Sequence, residues 1–386
     1  MINRLSVTPV RYRPDVEDIQ PDEPTLAKSI ADTMLSISQE TYSNSAHAIR
    51  SVHAKSHGLL EARVEVLDDL PPELAQGLFA RPGTYEAIIR LSTTPGDFLH
   101  DTVSTPRGMA LKILEVEGDR LPGSEESRSQ DFVMVNAREF NSPSARAFLL
   151  NLKGLAATTD RLEGTKEVLS KVFRGVEATL EKVGLESAAL KSLGGNPPTH
   201  ILGESFFTQL PLRYGDYIAK IAVVPASQNL KALAGAKLNT SKDGDVIRHA
   251  VEEFFEDETA VWDLQVQLCA DLDSMPVEGV DPWPEEKSPF VTVARITVEP
   301  QQAWSQERAR QVDDGMHFSP WNGLSAHQPL GQIMRLRKQS YERSAAFRSQ
   351  RNRTPVTEPL QCPFGHGEPK PGMLDKTAEP PPRFPI

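Results

Sequence analysis

Ala46-His-Ala-Ile-Arg-Ser-Val-His53-Ala-Lys-Ser-His-Gly58-Leu-Leu-Glu-Ala-Arg-Val-Glu-Val-Leu67 decides how this chain folds. From Leu59 onward its side chains alternate, with Leu60, Ala62, Val64 and Val66 on one face and Glu61, Arg63 and Glu65 on the other. Period-two alternation is the pattern of a half-buried β-strand. Similar runs over 84–92, 109–116, 132–135, 205–210, 216–224, 261–269 and 290–298 bring the expectation to about eight strands. Helices do not separate these runs regularly, which favours an antiparallel barrel or sandwich over a doubly wound α/β sheet. Helical spacing covers 23–39, where Leu26, Ile30, Met34 and Ile37 share a face, and also 142–152, 161–183 and 246–256. Pro71-Pro-Glu-Leu74 reads as the opening of a short helix.

The bulk numbers exclude several classes. The chain has 386 residues, 39% hydrophobic and 25% charged, as ordinary globular proteins do. A net charge of −11 without a basic block argues against nucleic acid as a partner. The sequence predicts no membrane span and no secretory signal, and two cysteines make no disulfide framework, so a cytoplasmic location is expected. Many of the 31 prolines lie near the ends. Residues 1–23 read as an N-terminal arm, 24–350 as the core and 351–386 as a proline-rich tail. Arms at both ends lead us to expect a homo-oligomer.

A second stretch carries chemistry: Gly331-Gln-Ile-Met-Arg-Leu-Arg337-Lys-Gln-Ser-Tyr341. On the helix expected from Pro329 onward, Arg337 and Tyr341 lie four apart and share a face. A guanidinium beside a phenol favours the phenolate, and a bound ferric ion would favour it far more. An isolated R-x-x-x-Y is nevertheless most often an amphipathic surface helix, so other motifs have to decide. Those are Arg50-Ser-Val-His53-Ala-Lys, Ile89-Arg-Leu-Ser92-Thr, Thr105-Pro-Arg-Gly-Met-Ala-Leu-Lys112 and Gln130-Asp-Phe-Val-Met-Val-Asn136.

With Arg337-Lys-Gln-Ser-Tyr341, these five runs resemble the haem catalase superfamily, whose members carry R-V-V-H-A-K-G, V-R-F-S-T, D-P-R-G-F-A-V-K, W-D-L-V-G-N-N and R-x-x-x-Y in that order. The resemblance covers roughly residues 25–350 and is strongest to the small bacterial catalase-related haem proteins. It implies an α+β fold: a catalase-like antiparallel eight-stranded β-barrel with inserted and C-terminal helices. It also implies a b-type haem whose iron takes Tyr341 as ligand.

Site residues follow from the same resemblance. His53 matches the distal histidine, a general acid–base group for peroxide. Ser92 matches the serine that orients it, and Asn136 the distal asparagine. Arg50, Val52, Arg90, Phe148, Arg337 and Tyr341 match cofactor contacts, the first two arginines facing haem carboxylates. Bland alternatives stand beside each: a satisfied histidine at a strand entrance, an ordinary strand serine, a turn asparagine, surface ion pairs. Val52 departs from the threonine of the related allene oxide synthases. Asn141 stands where the family has a second phenylalanine, which opens the distal channel to larger substrates. The proximal histidine of Y-G-S-H-T-F is replaced near Gly203-Glu-Ser205.

The expected activity is haem-dependent consumption of hydrogen peroxide or an organic hydroperoxide, of catalase or peroxidase type, with a small organic electron donor as a further partner. The competing readings are an organic (lipid) hydroperoxide isomerase or other haem tailoring oxidase, and a non-catalytic haem-binding protein. Cys362 and His366 supply two soft ligands where a zinc site wants four. His57, His100 and His327 have no partner pattern, and Glu252-Glu253 and Glu285-Glu286 read as solvated faces.

Overall fold

A computed structural model describes residues 7–159, 197–241 and 243–364. Its strands are β1 (Lys55–Val66), β2 (Gly83–Thr93), β3 (Arg107–Ile113), β4 (Gln130–Val135), β5 (Phe206–Phe207), β6 (Leu212–Tyr214), β7 (Tyr217–Pro225), β8 (Ala260–Leu268) and β9 (Val291–Val298). All pair antiparallel in the order β5-β4-β3-β2-β1-β9-β8-β7-β6, and β5 also pairs β7. That second pairing closes an eight-stranded ring and leaves β6 attached to β7 outside it. Closure removes the exposed edges of an open sheet.

Two expectations change here. The run over 205–210 contributes only Phe206–Phe207 to the sheet, because Gln209 turns the chain with φ 63°. The next residues form the unforeseen β6–β7 hairpin, where Tyr214 pairs with Tyr217 across Gly215-Asp216. Gly215, at φ 61°, takes the left-handed conformation that such a two-residue turn requires. Pro71–Leu74 is a turn closed by Leu74 N–H to Pro71 O at 2.8 Å, not a helix. The helix expected over 161–183 lies outside the described residues.

Inward side chains fill the barrel: Leu60, Val64, Ile89, Leu111, Phe132, Ile221, Trp262 and Leu264 belong to one buried cluster. The outward face of β1 alternates cleanly only in its second half. In its first half, Lys55–Leu60 are buried on both sides, since Leu59 joins Ile88, Leu114, Val312, Met316 and Phe318 in an outer cluster. Chain segments after β9 therefore cover that face.

The helices are α1 (Glu23–Ser45), α2 (Ala145–Thr159), α3 (Gln228–Ala232), α4 (Val246–Asp257), α5 (Gln306–Ala309) and α6 (Gln332–Asn352). α1 packs Ile30 and its neighbours against Ala145 and Leu152 of α2 and Leu336 of α6. α6 is polar nearly all round, and such a helix needs partners other than a broad apolar stripe. Arginines supply them. Arg335 pairs with Glu17, Glu23 and Glu278, and Arg343 bonds Asp32 at 2.5 Å. Glu17 and Glu278 also accept the first N–H groups of the helix, from Gly331 and Gln332, where the helix dipole favours negative charge.

Both ends of the described chain lie on the core. Val10 N–H bonds Cys269 O and Tyr12 N–H bonds Asp216 O, each at 2.7 Å. After α6, Thr357 N–H bonds Gly315 O, and Cys362 and Phe364 pack on the outer cluster. Both cysteines are free thiols. Among the described residues, no helix is long and apolar enough to cross a membrane.

Candidate active site

The ladder of β2, β3 and β4 sets side chains in rows on the outward face. Register places Ser92, Gly108 and Val135 in one row, Arg90, Ala110 and Val133 in the next, and Ile88, Lys112 and Asp131 in a third. His53 stands over the first row. Its Nδ1 lies 3.3 Å from Ser92 Oγ. A Cβ on Gly108 would sit 2.6 Å from that Nδ1, so the imidazole rests directly on glycine backbone. The His53 backbone has φ 53°, a left-handed conformation that a non-glycine side chain adopts at a cost and that clusters at functional sites.

Burial, helped by charge, keeps this imidazole neutral. Burial first, then the guanidinium groups of Arg90 and Arg337, push its pKa down to about 3. Asn136 continues the β3–β4 ladder by one residue: its N–H bonds Arg107 O at 3.0 Å, and its side-chain Oδ1 accepts Arg107 N–H at 2.9 Å. The carboxamide oxygen is thereby fixed, and the Nδ2 group is the part of Asn136 left to donate elsewhere.

On α6, Arg337 Nη2 donates to Tyr341 Oη at 2.6 Å. Its guanidinium also lies 5.8 Å from the Phe140 ring, and Phe140 meets Phe148 edge-on at 5.3 Å. Arg337 lines a small cleft with Val133, Leu210, Pro320 and Met334. His53, Val52, Phe148, Arg337 and Tyr341 are all half-buried. The sequence-predicted residues thus divide among the barrel face with the segment leading into β1, Phe148 on α2, and α6, and the charge of Arg337 on α6 acts on His53.

Arg50 and Arg90 do not form surface ion pairs. Both reach Asp313 Oδ1, at 2.9 and 2.6 Å, in the turn after α5. Arg348 donates to Asp313 O at 2.5 Å, and Ser56 Oγ donates to Asp313 Oδ2 at 2.7 Å. Burial alone would raise the Asp313 pKa, but Arg90, Arg50 and the Ser56 hydroxyl hold it below the usual range. Burial, then Arg90 and Arg348, push Arg50 well below its ordinary value.

Sequence reasoning missed Asp313, Arg348 and Gly108. Arg348 had a signal, because it follows Tyr341 by seven residues and so shares a helix face with it. Asp313 had none, since its partners Arg50 and Arg90 are more than 200 residues away in sequence. Three other singled-out histidines are structural. His57 Nε2 meets Thr93 Oγ1 at 2.9 Å inside the barrel. His327 Nε2 accepts Leu78 N–H among Phe79, Phe132 and Tyr214. His100 meets Thr102 in an exposed loop. His366 lies outside the described residues, and no cluster of three or more metal-ligating His, Cys, Asp or Glu exists among those described.

No protein-family profile matches the chain, and no curated protein matches it. Solved structures do. The fold is catalase-like: a fungal catalase superposes with TM-score 0.54 at 15% identity, covering 92% of this chain and 70% of that one. Catalase A from Saccharomyces cerevisiae gives 0.53 at 16%, covering 94% and 71%. A bacterial catalase gives 0.52 at 16%, covering 99% and 73%.

Catalase-like folds raise the question whether a haem suits these residues. Arg50 and Arg90 share the single carboxylate of Asp313, and Arg348 donates to the Asp313 backbone oxygen, so three guanidinium groups gather at one carboxylate. The buried Arg348 Nε has no hydrogen-bond partner. An anionic group bearing carboxylates would use both features. A half-buried tyrosine paired with an arginine is a suitable anionic oxygen donor for a ferric ion.

Proposed function

We propose that the protein is a haem-dependent, peroxide-consuming oxidoreductase of catalase or peroxidase type. The observation that carries this reading is the pairing of Arg337 with Tyr341 on α6 while the same guanidinium acts on His53 of the barrel. A bound b-type haem would supply the two-electron redox chemistry. Tyr341 would give its phenolate oxygen to the iron, with Arg337 stabilising that charge. Arg50, Arg90 and Arg348 would face the haem carboxylates, and Val52 and Phe148 would pack on its apolar faces.

A neutral His53 would accept a proton from peroxide and return it to the departing oxygen, work worth about 10²–10⁴-fold. Ser92 holds the ring by Nδ1, so Nε2 is the nitrogen that meets substrate. Asn136, with its oxygen tied to Arg107, donates from Nδ2 and orients the peroxide without fixing a charge.

The test is reconstitution of the purified chain with haem. A Soret band that depends on Tyr341, and peroxide turnover lost in His53→Ala with haem retained, are expected. Haem uptake with full turnover in His53→Ala overturns the mechanism, and no Soret band overturns the cofactor. A second reading, action on a bulkier organic hydroperoxide, is favoured by the exposed Asn141 next to Phe140. Product analysis with a lipid hydroperoxide separates the two.

A further inference from the structure

Two consecutive residues at the start of β3 touch both groups on the histidine side of the site. We propose that Arg107-Gly108 is the ruler that fixes the spacing and angle between the His53 imidazole and the Asn136 carboxamide, making both of them positioning residues. This rests on the roles given above to His53 and Asn136.

The two contacts differ in kind and share one backbone segment. Arg107 holds Asn136 by main chain alone, its N–H on the side-chain Oδ1 and its C=O on the Asn136 N–H. Gly108 holds His53 by having no side chain. A Cβ there would lie 2.6 Å from Nδ1, 2.7 Å from Cε1 and 3.2 Å from Ser92 Oγ. The Gly108 backbone is not in the left-handed region, so glycine is required by the imidazole and not by the turn of the chain. Alanine would suit the strand and displace the ring.

Neither end of the ruler can yield easily. The Arg107 side chain is buried, with Nη2 donating to Pro197 O at 3.0 Å and Nη1 to Thr105 O. On the other side of the His53 turn, a Cβ on Gly96 would meet Ser51 O at 2.1 Å, so that loop lies hard against the chain leading to His53. The chain leading into His53 is thus held in place, so a methyl added at Gly108 moves the half-buried ring and not the backbone that carries it.

The experiment is NMR of the full chain without haem, so the result does not depend on cofactor binding. In Gly108→Ala, the His53 ring leaves its seat, its titration midpoint rises by at least one pH unit, and the Asn136 side-chain NH₂ resonances stay in place. Gly154→Ala, on an open part of α2 where nothing lies within 4 Å, changes neither. If Gly108→Ala does not fold, the unmodified chain serves: an NOE between Gly108 Hα and His53 Hε1 is expected, and the Gly108 Hα shift should move in His53→Ala. Unchanged His53 titration in a folded Gly108→Ala, or no such NOE, overturns the proposal. With haem loaded, Gly108→Ala should lose at least ten-fold in peroxide turnover at equal haem uptake. If the chain takes up no haem, the functional reading fails while the NMR result stands on its own.

Discussion

Arg337 donates a 2.6 Å hydrogen bond to Tyr341 Oη one helical turn further along α6, and the same charge helps hold His53 neutral across the site. One guanidinium thus serves both faces. Arg337→Leu should shift or abolish the tyrosinate-type absorption of the haem-loaded protein and raise the His53 titration midpoint. Arg337→Lys should restore the second effect better than the first, since an ammonium keeps the charge but not the planar fork. Optical spectra and histidine NMR read the two effects separately. Unchanged His53 titration in Arg337→Leu would remove the electrostatic link.

Asp313 is the counter-ion of Arg50 and Arg90. Asp313→Asn leaves buried guanidinium groups without their carboxylate. A loss of about 3–5 kcal/mol of stability is expected, as for other broken buried pairs. Urea unfolding measures it. A loss below about 0.5 kcal/mol, within the range of surface changes, contradicts the assignment.

Stability should fall with acid. Burial pushes the pKa of His53 and His327 to about 3 and that of His200 and His317 to about 4, and holds His57 well below its ordinary value. The unfolded chain therefore binds protons below pH 6.5 that the folded chain refuses until roughly pH 4. Each such proton removes about 1.4 kcal/mol per pH unit across that window. Asp131 opposes this, since burial raises it to about 7 and the folded state holds its extra proton. His47, Asp101 and Glu252 are raised as well and oppose it with Asp131, but the five lowered histidines outweigh these four, so the urea midpoint at pH 5 should lie below that at pH 7.5. An equal or higher midpoint refutes the balance.

Glu358 reaches from the chain after α6 to Lys112 Nζ at 2.7 Å, Ser129 Oγ at 2.6 Å and Asn322 Nδ2 at 3.0 Å. Its charge is also one cause of the raised Asp131 pKa. Glu358→Gln should cost about 1–3 kcal/mol through the weakened bonds to the buried Lys112. It should also lower the Asp131 pKa toward the ordinary carboxylate range. Denaturation and carboxyl infrared titration check the two effects. An unchanged Asp131 pKa would show that burial and Lys112 set it without Glu358.

The long alternating strands were legible because their pattern is local: the end of β1 and the start of β2 bury one face on the barrel interior and expose the other. The β6–β7 hairpin was not read, although Tyr214-Gly215-Asp216-Tyr217 is a two-residue turn between aromatic residues. Pro211 and the left-handed Gln209 obscured where one strand ended and the next began. In the site, Arg337, Tyr341, His53, Ser92 and Asn136 could be named because each sits in a short motif. Asp313 could not, since long-range ion pairs leave no periodic trace. Gly108 was quoted within its motif, but its importance lies in the ring above it, which only three dimensions place there.

The ring of strands is sealed by two residues. Phe206–Phe207 join β4 through one residue pair, Val135 with Phe207, and β7 through two, whereas β1 and β2 share a ladder of eleven pairs. The other interfaces of the ring run from four pairs (β1 with β9) to eleven, so this seam is where the cylinder should part first. Amides of 135–142 and 205–208 should exchange with deuterium well before those of β1 and β2. During folding, the same seam should be the last to zip. Asn136 is the first residue beyond it, so one strand end carries both the weakest seam of the ring and, through Arg107, a corner of the site.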